Sequence, residues 1–439
     1  MKEQLLRKIN DRRAKIGVIG LGYVGLPLAV AFAEAGFYVT GFDKNEAKIE
    51  DLKNGFSTIL DVPSKSIKRV LISGHFQADS NKQSLKGLDC LIICVPTPLT
   101  DSYEPDISYI QDAVNMIHTQ WGNQTLLVLE STTYPGTTKE MIYDVFTKKG
   151  YIADIDFMVA YSPERVDPGN QKYKIQNTPK VVGGTTKDSL EVSLQLYQTI
   201  IDTVVSVSST EVAEMSKLLE NTFRSINIAF INEMAQLCEK MEIDIWETIE
   251  ASATKPFGFM KFLPGPGIGG HCIPLDPMYL NWKAKKINSS SRFIELAQEI
   301  NRDMPKHVVT KAMEALNKHQ KALNGSQVLM VGMAYKENSN DLRESPSLAI
   351  FEELQKAGSK VAFCDPLADS FIDKFGSKQY SIKLDYPLFK TYDLVILLVN
   401  HACFDMDEIA DASQLILDTK NNLQNRYPGK TIRIGDKLE

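Results

Sequence analysis

The sequence predicts an α/β fold: two doubly wound parallel-sheet domains joined by a long central helix and a helical middle domain. Three observations carry this. Strand, glycine turn, helix and strand follow one another over residues 15–43. An uninterrupted helical pattern, without Gly or Pro, runs over residues 210–244. A second alternation of apolar strands and helices begins near Gly325. The expected boundaries are 1–205 for the first sheet domain, 206–320 for the helical middle and 321–439 for the second sheet domain.

Taken in order, "KIGVIG" reads as the first strand, "LPLAVAFAEAG" as a helix stopped by Gly36, and "YVTGFD" as the second strand. "CLIICVP" (90–96), "TLLVLEST" (125–132) and "FMVAYSP" (157–163) are further apolar strands with helical stretches between them. Such alternation implies a parallel sheet covered on both faces. The stretch "TEVAEMSKLLENTFRSINIAFINEMAQLCEKMEID" repeats apolar residues at helical spacing, and a helix this long forms a domain spine or a dimer interface. After more helical sequence to about His319, "SQVLMVGMAY", "SPSLAIFEELQKAG", "KVAFCDP", "YDLVILLVN" and "LILDT" rebuild an open α/β sheet.

The bulk numbers suit an ordinary soluble globular protein of roughly three domains: 439 residues, 43% hydrophobic and 24% charged. A net charge of -6 and scattered Lys and Arg point away from a nucleic-acid partner. Six cysteines without a CxxC pair argue against a disulfide framework or zinc site, so a reducing cytoplasm is expected and no metal. The charged N-terminus has no signal-peptide core. The apolar window that follows is broken by three spaced glycines, a proline and Glu34, and reads as buried strand, turn and helix rather than a membrane span.

"GLGYVG" places Gly20, Gly22 and Gly25 in G-x-G-x-x-G spacing around Tyr23 and Val24, after a strand and opening a helix. Asp43 ends the next strand. This is the context of a Rossmann-like dinucleotide site: glycines for the turn and close backbone approach, a helix N-terminus for the pyrophosphate, and an acid for the ribose. Asp43 favours NAD over NADP by repelling a 2'-phosphate, and Lys44 beside it weakens that preference. Thr97 in "VPTP" and Ser131 and Thr132 in "ESTTYPGTT" lie at later strand ends, where they hydrogen-bond cofactor or a reacting hydroxyl, or simply close turns.

"GPGIGGHCIPLDP" sets Cys272 behind a run of glycines and four residues before Asp276. Asp276 followed by Pro277 is a strong helix start, and a helix N-terminus favours a thiolate. Two readings stand on local sequence: an activated nucleophile, or a small buried residue ahead of a simple cap. Lys217, Asn221 and Arg224 share one face of the long helix, as ligand groups or as a solvated stripe. Glu164 and Arg165 in "YSPERVDPGN" sit at a strand end, as site residues or as a loop ion pair.

Together these segments, with "EMSKLLENTFR" and "AYKENSNDLRESPS", resemble the UDP-sugar 6-dehydrogenases, the family of UDP-glucose and UDP-N-acetylhexosamine dehydrogenases, nearly end to end. The resemblance implies an N-terminal NAD domain, a C-terminal domain for the UDP part of a UDP-sugar substrate, and a homodimer around the central helix. It implies a four-electron oxidation of a sugar CH2OH to a carboxylate with two NAD. By position Cys272 matches the nucleophile, Lys217 the family's lysine and Asp276 the carboxylate near the attacking water. Glu164, Asn221 and Thr132 match supporting polar residues, and Lys336 and Arg343 basic residues that meet substrate and cofactor. Arg165, Arg224, Lys255, Gly265 and Gly269 complete the expected substrate site. His271 and Leu275, where the glucose branch has Ser and Lys, and "SPER" in place of "NPEF", favour an N-acetylhexosamine. "ATKPFGFMKFLPGPGIGGHC" most resembles enzymes acting on UDP-N-acetyl-D-glucosamine, ahead of N-acetylmannosamine or glucose. The product would suit surface-polysaccharide assembly. The rival readings are a two-electron β-hydroxyacid-type dehydrogenase and a non-enzymic nucleotide-sugar sensor.

Overall fold

The computed structural model describes residues 1–436 other than 58, 60, 101, 103, 123, 167–169 and 171. It divides into two compact units, residues 1–220 with 278–289, and 221–277 with 290–439.

The first unit is built on strands β1 (Lys15–Ile19), β2 (Tyr38–Phe42), β3 (Phe76–Asp79), β4 (Cys90–Ile93), β5 (Thr125–Leu129), β6 (Phe157–Tyr161), β7 (Lys180–Gly184) and β8 (Val204–Val207). They order as β3-β2-β1-β4-β5-β6-β7-β8. The first six reproduce the doubly wound dinucleotide-binding order, whose switch point lies between β1 and β4. Both faces are buried, as the near-continuous apolar strands require. Ile16, Val18, Ile92, Leu126 and Val128 join one core, and Ile19, Leu91, Ile93, Leu127 and Leu129 the other, which is the alternation a period-2 strand imposes.

The strands read from the sequence pair in parallel, and β7, which sequence reading left out, runs antiparallel to β6. No helix occurs among the described residues between these strands, and without a crossover helix a strand can only fold straight back. Sequence reading also left out β3 and β8.

The second unit carries β9 (Gln327–Val331), β10 (Lys360–Cys364), β11 (Ser370–Ile372), β12 (Lys378–Tyr380), β13 (Leu394–Leu397), β14 (Ile416–Asp418) and β15 (Thr431–Arg433). The sheet order is β10-β9-β13-β14-β15, all parallel, with β11 and β12 forming a separate antiparallel pair. This is the other common doubly wound order, with its switch point between β9 and β13.

The central helix is Thr210–Lys240, 31 residues. Its residues up to Glu220 belong to the first unit, and those from Asn221 to the second. Helices Asp276–Lys286 and Arg292–Lys318 follow. Among the described residues no helix is long and apolar enough to cross a membrane.

Candidate active site

In the first unit the glycine turn leads from β1 into helix Gly25–Glu34, which has no side-chain cap; Leu26 N donates to the Gly22 carbonyl at 3.1 Å and Pro27 brings no N–H, so the helix end offers a ligand its dipole and the N–H groups of the turn ahead of it. A Cβ on Gly25 would stand 1.8 Å from the Gly20 carbonyl oxygen, so this glycine is what lets helix and strand approach. A Cβ on Gly22 would meet nothing within 4 Å. Tyr23 is exposed and Val24 half-buried beside it. Asp43 Oδ2 accepts from Leu21 N at 3.0 Å and Lys48 Nζ at 2.8 Å, and Oδ1 from Asn45 N at 3.0 Å. Burial opposes its charge, but Lys48 and these N–H groups outweigh burial and hold the carboxyl below the usual range. Lys44 is turned away onto Asp112 at 2.8 Å. The open glycine cradle, uncapped helix and ionised strand-end acid fit NAD.

Thr97 is buried, and its carbonyl accepts from the Tyr279 hydroxyl. Ser131 Oγ donates to the Val95 carbonyl at 2.7 Å, tying the ends of β4 and β5. Thr132 is half-buried. Thr133, which sequence reading passed over, is 1% exposed, and its hydroxyl has no hydrogen-bond partner among the described residues. The doublet of threonines was visible in the sequence; which hydroxyl turned inward was not. Glu164 follows β6, with Oε1 accepting from Arg165 N at 2.7 Å and Val166 N at 2.6 Å. Arg165 pairs with Glu220 at 2.8 Å, as a loop ion pair would. Lys217 is buried on the central helix.

In the second unit Asn221 Nδ2 donates to Asp276 Oδ2 at 2.5 Å, and both residues are buried. The Cys272 side chain is exposed, and its carbonyl accepts from Asp276 N at 2.8 Å and Leu275 N at 3.2 Å. That tight turn delivers the cysteine to the N-terminal end of helix Asp276–Lys286. Of the polar helix stripe, Asn221 is brought to Asp276, whereas Arg224 is exposed. Burial first, and then the Arg343 charge, lower the His271 pKa below the usual imidazole value, despite Asp341.

The glycines are divided in their work. Gly265 N donates to Asn232 Oδ1 at 2.9 Å, and its Cα faces the Lys420 stem, with a built Cβ 3.8 Å from Cε. A Cβ on Gly269 would lie 2.7 Å from Tyr335 Cβ and 2.7 Å from the Glu344 carbonyl oxygen. So Gly269 serves packing against the loop after β9 rather than room for a ligand. That loop carries Lys336, half-buried, and Arg343, which grips Asp341 at 2.9 and 2.6 Å. Lys255 is exposed beside Phe257.

Lys420, just past β14, is a residue sequence reading missed. Burial pulls its ammonium down despite the Glu337 charge, and it flanks Gly265 at a strand end. It stands at the kind of strand end where open α/β sheets bind ligands, yet nothing in "LILDTKNNL" marks one lysine among many.

Against known proteins, residues 14–201 match the NAD binding domain of the UDP-glucose/GDP-mannose dehydrogenase family. Residues 211–303 match its central domain and 329–425 its UDP binding domain. The chain is 37% identical over 406 residues to Protein CapL of Staphylococcus aureus, covering 92% of this chain and 93% of that one. It is 34% identical over 415 residues to the UDP-N-acetyl-D-glucosamine 6-dehydrogenase of Pseudomonas aeruginosa, covering 92% and 96%. The solved UDP-D-ManNAc dehydrogenase of Pyrococcus horikoshii superposes with a TM-score of 0.87 at 30% identity, over 96% of this chain and 99% of that one. With an NAD binding domain, a central domain and a UDP binding domain matched in order, the chain belongs to the UDP-glucose/GDP-mannose dehydrogenase family.

Proposed function

We propose that this enzyme oxidises C6 of a UDP-N-acetylhexosamine, best UDP-N-acetyl-D-glucosamine, from CH2OH to carboxylate, with Cys272 as nucleophile. One observation supports this above the others: an exposed thiol at a helix N-terminus, in the same turn as a buried Asp276 held by Asn221. The binding domains for NAD and UDP supply the other halves of the reaction. Gly20, Gly22, Gly25 and Asp43 would hold NAD, which would supply the hydride acceptor for each two-electron oxidation.

The chain's own residues do the rest. Cys272 as thiolate adds to the C6 aldehyde, forming a C–S bond and a thiohemiacetal. Its oxidation leaves a thioester. Water attacks that carbon, the C–S bond breaks, and the thiolate returns with the acid released. Lys217 and Asn221 stabilise charge on the C6 oxygen as it develops. Asp276 or Glu164 takes the proton from the water. Thr132, Arg165, Arg224, Lys255 and Lys336 are assigned to substrate or supporting contacts, and Thr97, Ser131 and Arg343 to the cofactor side. Gly265, beside Lys420, lines the substrate.

The sugar assignment rests on the segment 253–272 and on relatives such as the Pseudomonas aeruginosa enzyme. The backbone likeness to the Pyrococcus horikoshii enzyme favours UDP-N-acetyl-D-mannosamine as the second reading. A panel of UDP-glucose, UDP-N-acetylglucosamine, UDP-N-acetylgalactosamine and UDP-N-acetylmannosamine, scored by initial NADH formation, separates them. Two NADH per sugar are expected; one would mean the two-electron rival, and none the sensor. Cys272→Ser should accumulate a covalent or slowly released intermediate by intact-protein mass spectrometry. Unimpaired turnover of that variant would remove the cysteine from the reaction.

A further inference from the structure

A buried charged cluster lies behind the strand ends of the first unit. Lys180 opens β7 and is 4% exposed. Its Nζ stands 3.0 Å from Glu130 Oε2 and 3.7 Å from Glu164 Oε2. Glu130 is wholly enclosed, and its other oxygen accepts from the Tyr197 hydroxyl. The Tyr197 ring lies 5.0 Å from the same ammonium. A buried ammonium is tolerated only with charged partners of good geometry, and here it has two. Burial works against the Lys180 charge, but Glu130 and Glu164 outweigh it and raise its pKa.

The antiparallel strand is what makes this contact. The β6–β7 register pairs Ala160 with Gly184 and Tyr161 with Gly183. Continued three residues, it sets Glu164 opposite Lys180. A parallel β7 would have carried Lys180 to the opposite end of the sheet. Two backbone N–H groups cap Glu164 Oε1, so Oε2, the oxygen facing Lys180, is the one left for proton transfer.

We propose that Lys180 is a positioning residue of the reaction: anchored by Glu130, its ammonium fixes the Glu164 carboxylate at the end of β6 in the orientation that handles the proton. This rests on the reading of Glu164 as a proton-handling group. The test is a double-mutant cycle on the full-length enzyme, with kcat, KM for UDP-N-acetylglucosamine and melting temperature measured for each variant. Because Lys180→Met alone strands a buried carboxylate, the same cycle is run with E130Q/K180M, which removes both charges. The expected result is a fall in kcat of about 10- to 100-fold in either background that folds, at the foot of or below the roughly 10²–10⁴-fold of a lost proton-transfer group, because the Glu164 carboxylate remains. KM should stay within about threefold, and Glu164→Gln should abolish any further loss. Wild-type kcat in E130Q/K180M, or an equal added loss on top of Glu164→Gln, would overturn the role of Lys180 while leaving that of Glu164 intact. A fully active Glu164→Gln enzyme would instead overturn the reading of Glu164, and the proposal with it.

Discussion

Glu214 shows how one side chain couples a loop to pH. It lies in the first turns of the central helix and accepts from Gly136 N at 2.6 Å, Thr138 N at 2.8 Å and Thr138 Oγ1 at 2.7 Å. It thereby pins the "TTYPGTT" segment that carries Thr132 and Thr133. Burial pushes its carboxyl up to about 7 from an ordinary 4.5, even against those three donors. The sign follows from linkage. Below 4.5 both folded and unfolded chains are protonated, and the favourable contribution is complete. As pH rises the unfolded chain ionises first, and the contribution is lost through about 7. A shift of this size is worth roughly 3 kcal/mol. Melting temperature measured across pH 4 to 8 should therefore fall with rising pH in the wild type by more than in Glu214→Gln, which cannot ionise. Parallel curves for the two proteins would mean that Glu214 does not titrate in this window. None of this was legible locally: Glu214 looks like any helix acid, and its partners lie 76 and 78 residues away.

Among elements, the strand–turn–helix unit of residues 15–43 was the most legible, because its glycine spacing encodes a backbone approach that only glycine permits. Gly25→Ala makes that quantitative. The new methyl would collide with the Gly20 carbonyl, so strand and helix must separate. Overpacking of this kind costs about 1–3 kcal/mol. The expected outcome is a lowered melting temperature and at least tenfold weaker NAD binding by fluorescence titration; unchanged binding would detach the turn from the cofactor. The Cys272 turn was half legible. The Cys272–Asp276 spacing is written in the sequence, but the Asn221 contact spans 55 residues and needed the fold. Gly269 was expected in the substrate site, whereas it turns out to admit the loop after β9.

At the scale of the whole molecule, assembly follows from the central helix. Val212, Leu219, Phe223, Phe230 and Leu237 recur at intervals of 7, 4, 7 and 7, and each is between 44% and 59% exposed. Phe223 meets the Phe262 ring at 5.9 Å, but its own chain leaves the stripe largely uncovered, and an apolar stripe of that period on a long helix suits a second helix of the same kind. We infer a homodimer through this face. Light scattering after size exclusion should give about twice the 49.1 kDa chain mass. Phe230→Asp should shift the mass toward the monomer without altering the far-UV spectrum; a monomeric wild type would contradict the inference.

Local pattern determined the fold class, the NAD cradle and the candidate nucleophile, and the resemblance of whole segments pointed to the family. Strand periodicity, glycine spacing and a cysteine-to-aspartate interval are short-range properties, carried by residues within one turn or one strand of each other. Tertiary structure alone decided which polar groups are buried together: Lys180 with Glu130 and Glu164, Asn221 with Asp276, Lys420 beside Gly265. Those pairings depend on strand order, on the reversed β7 and on desolvation, which arise only when segments far apart in the chain are brought into one core.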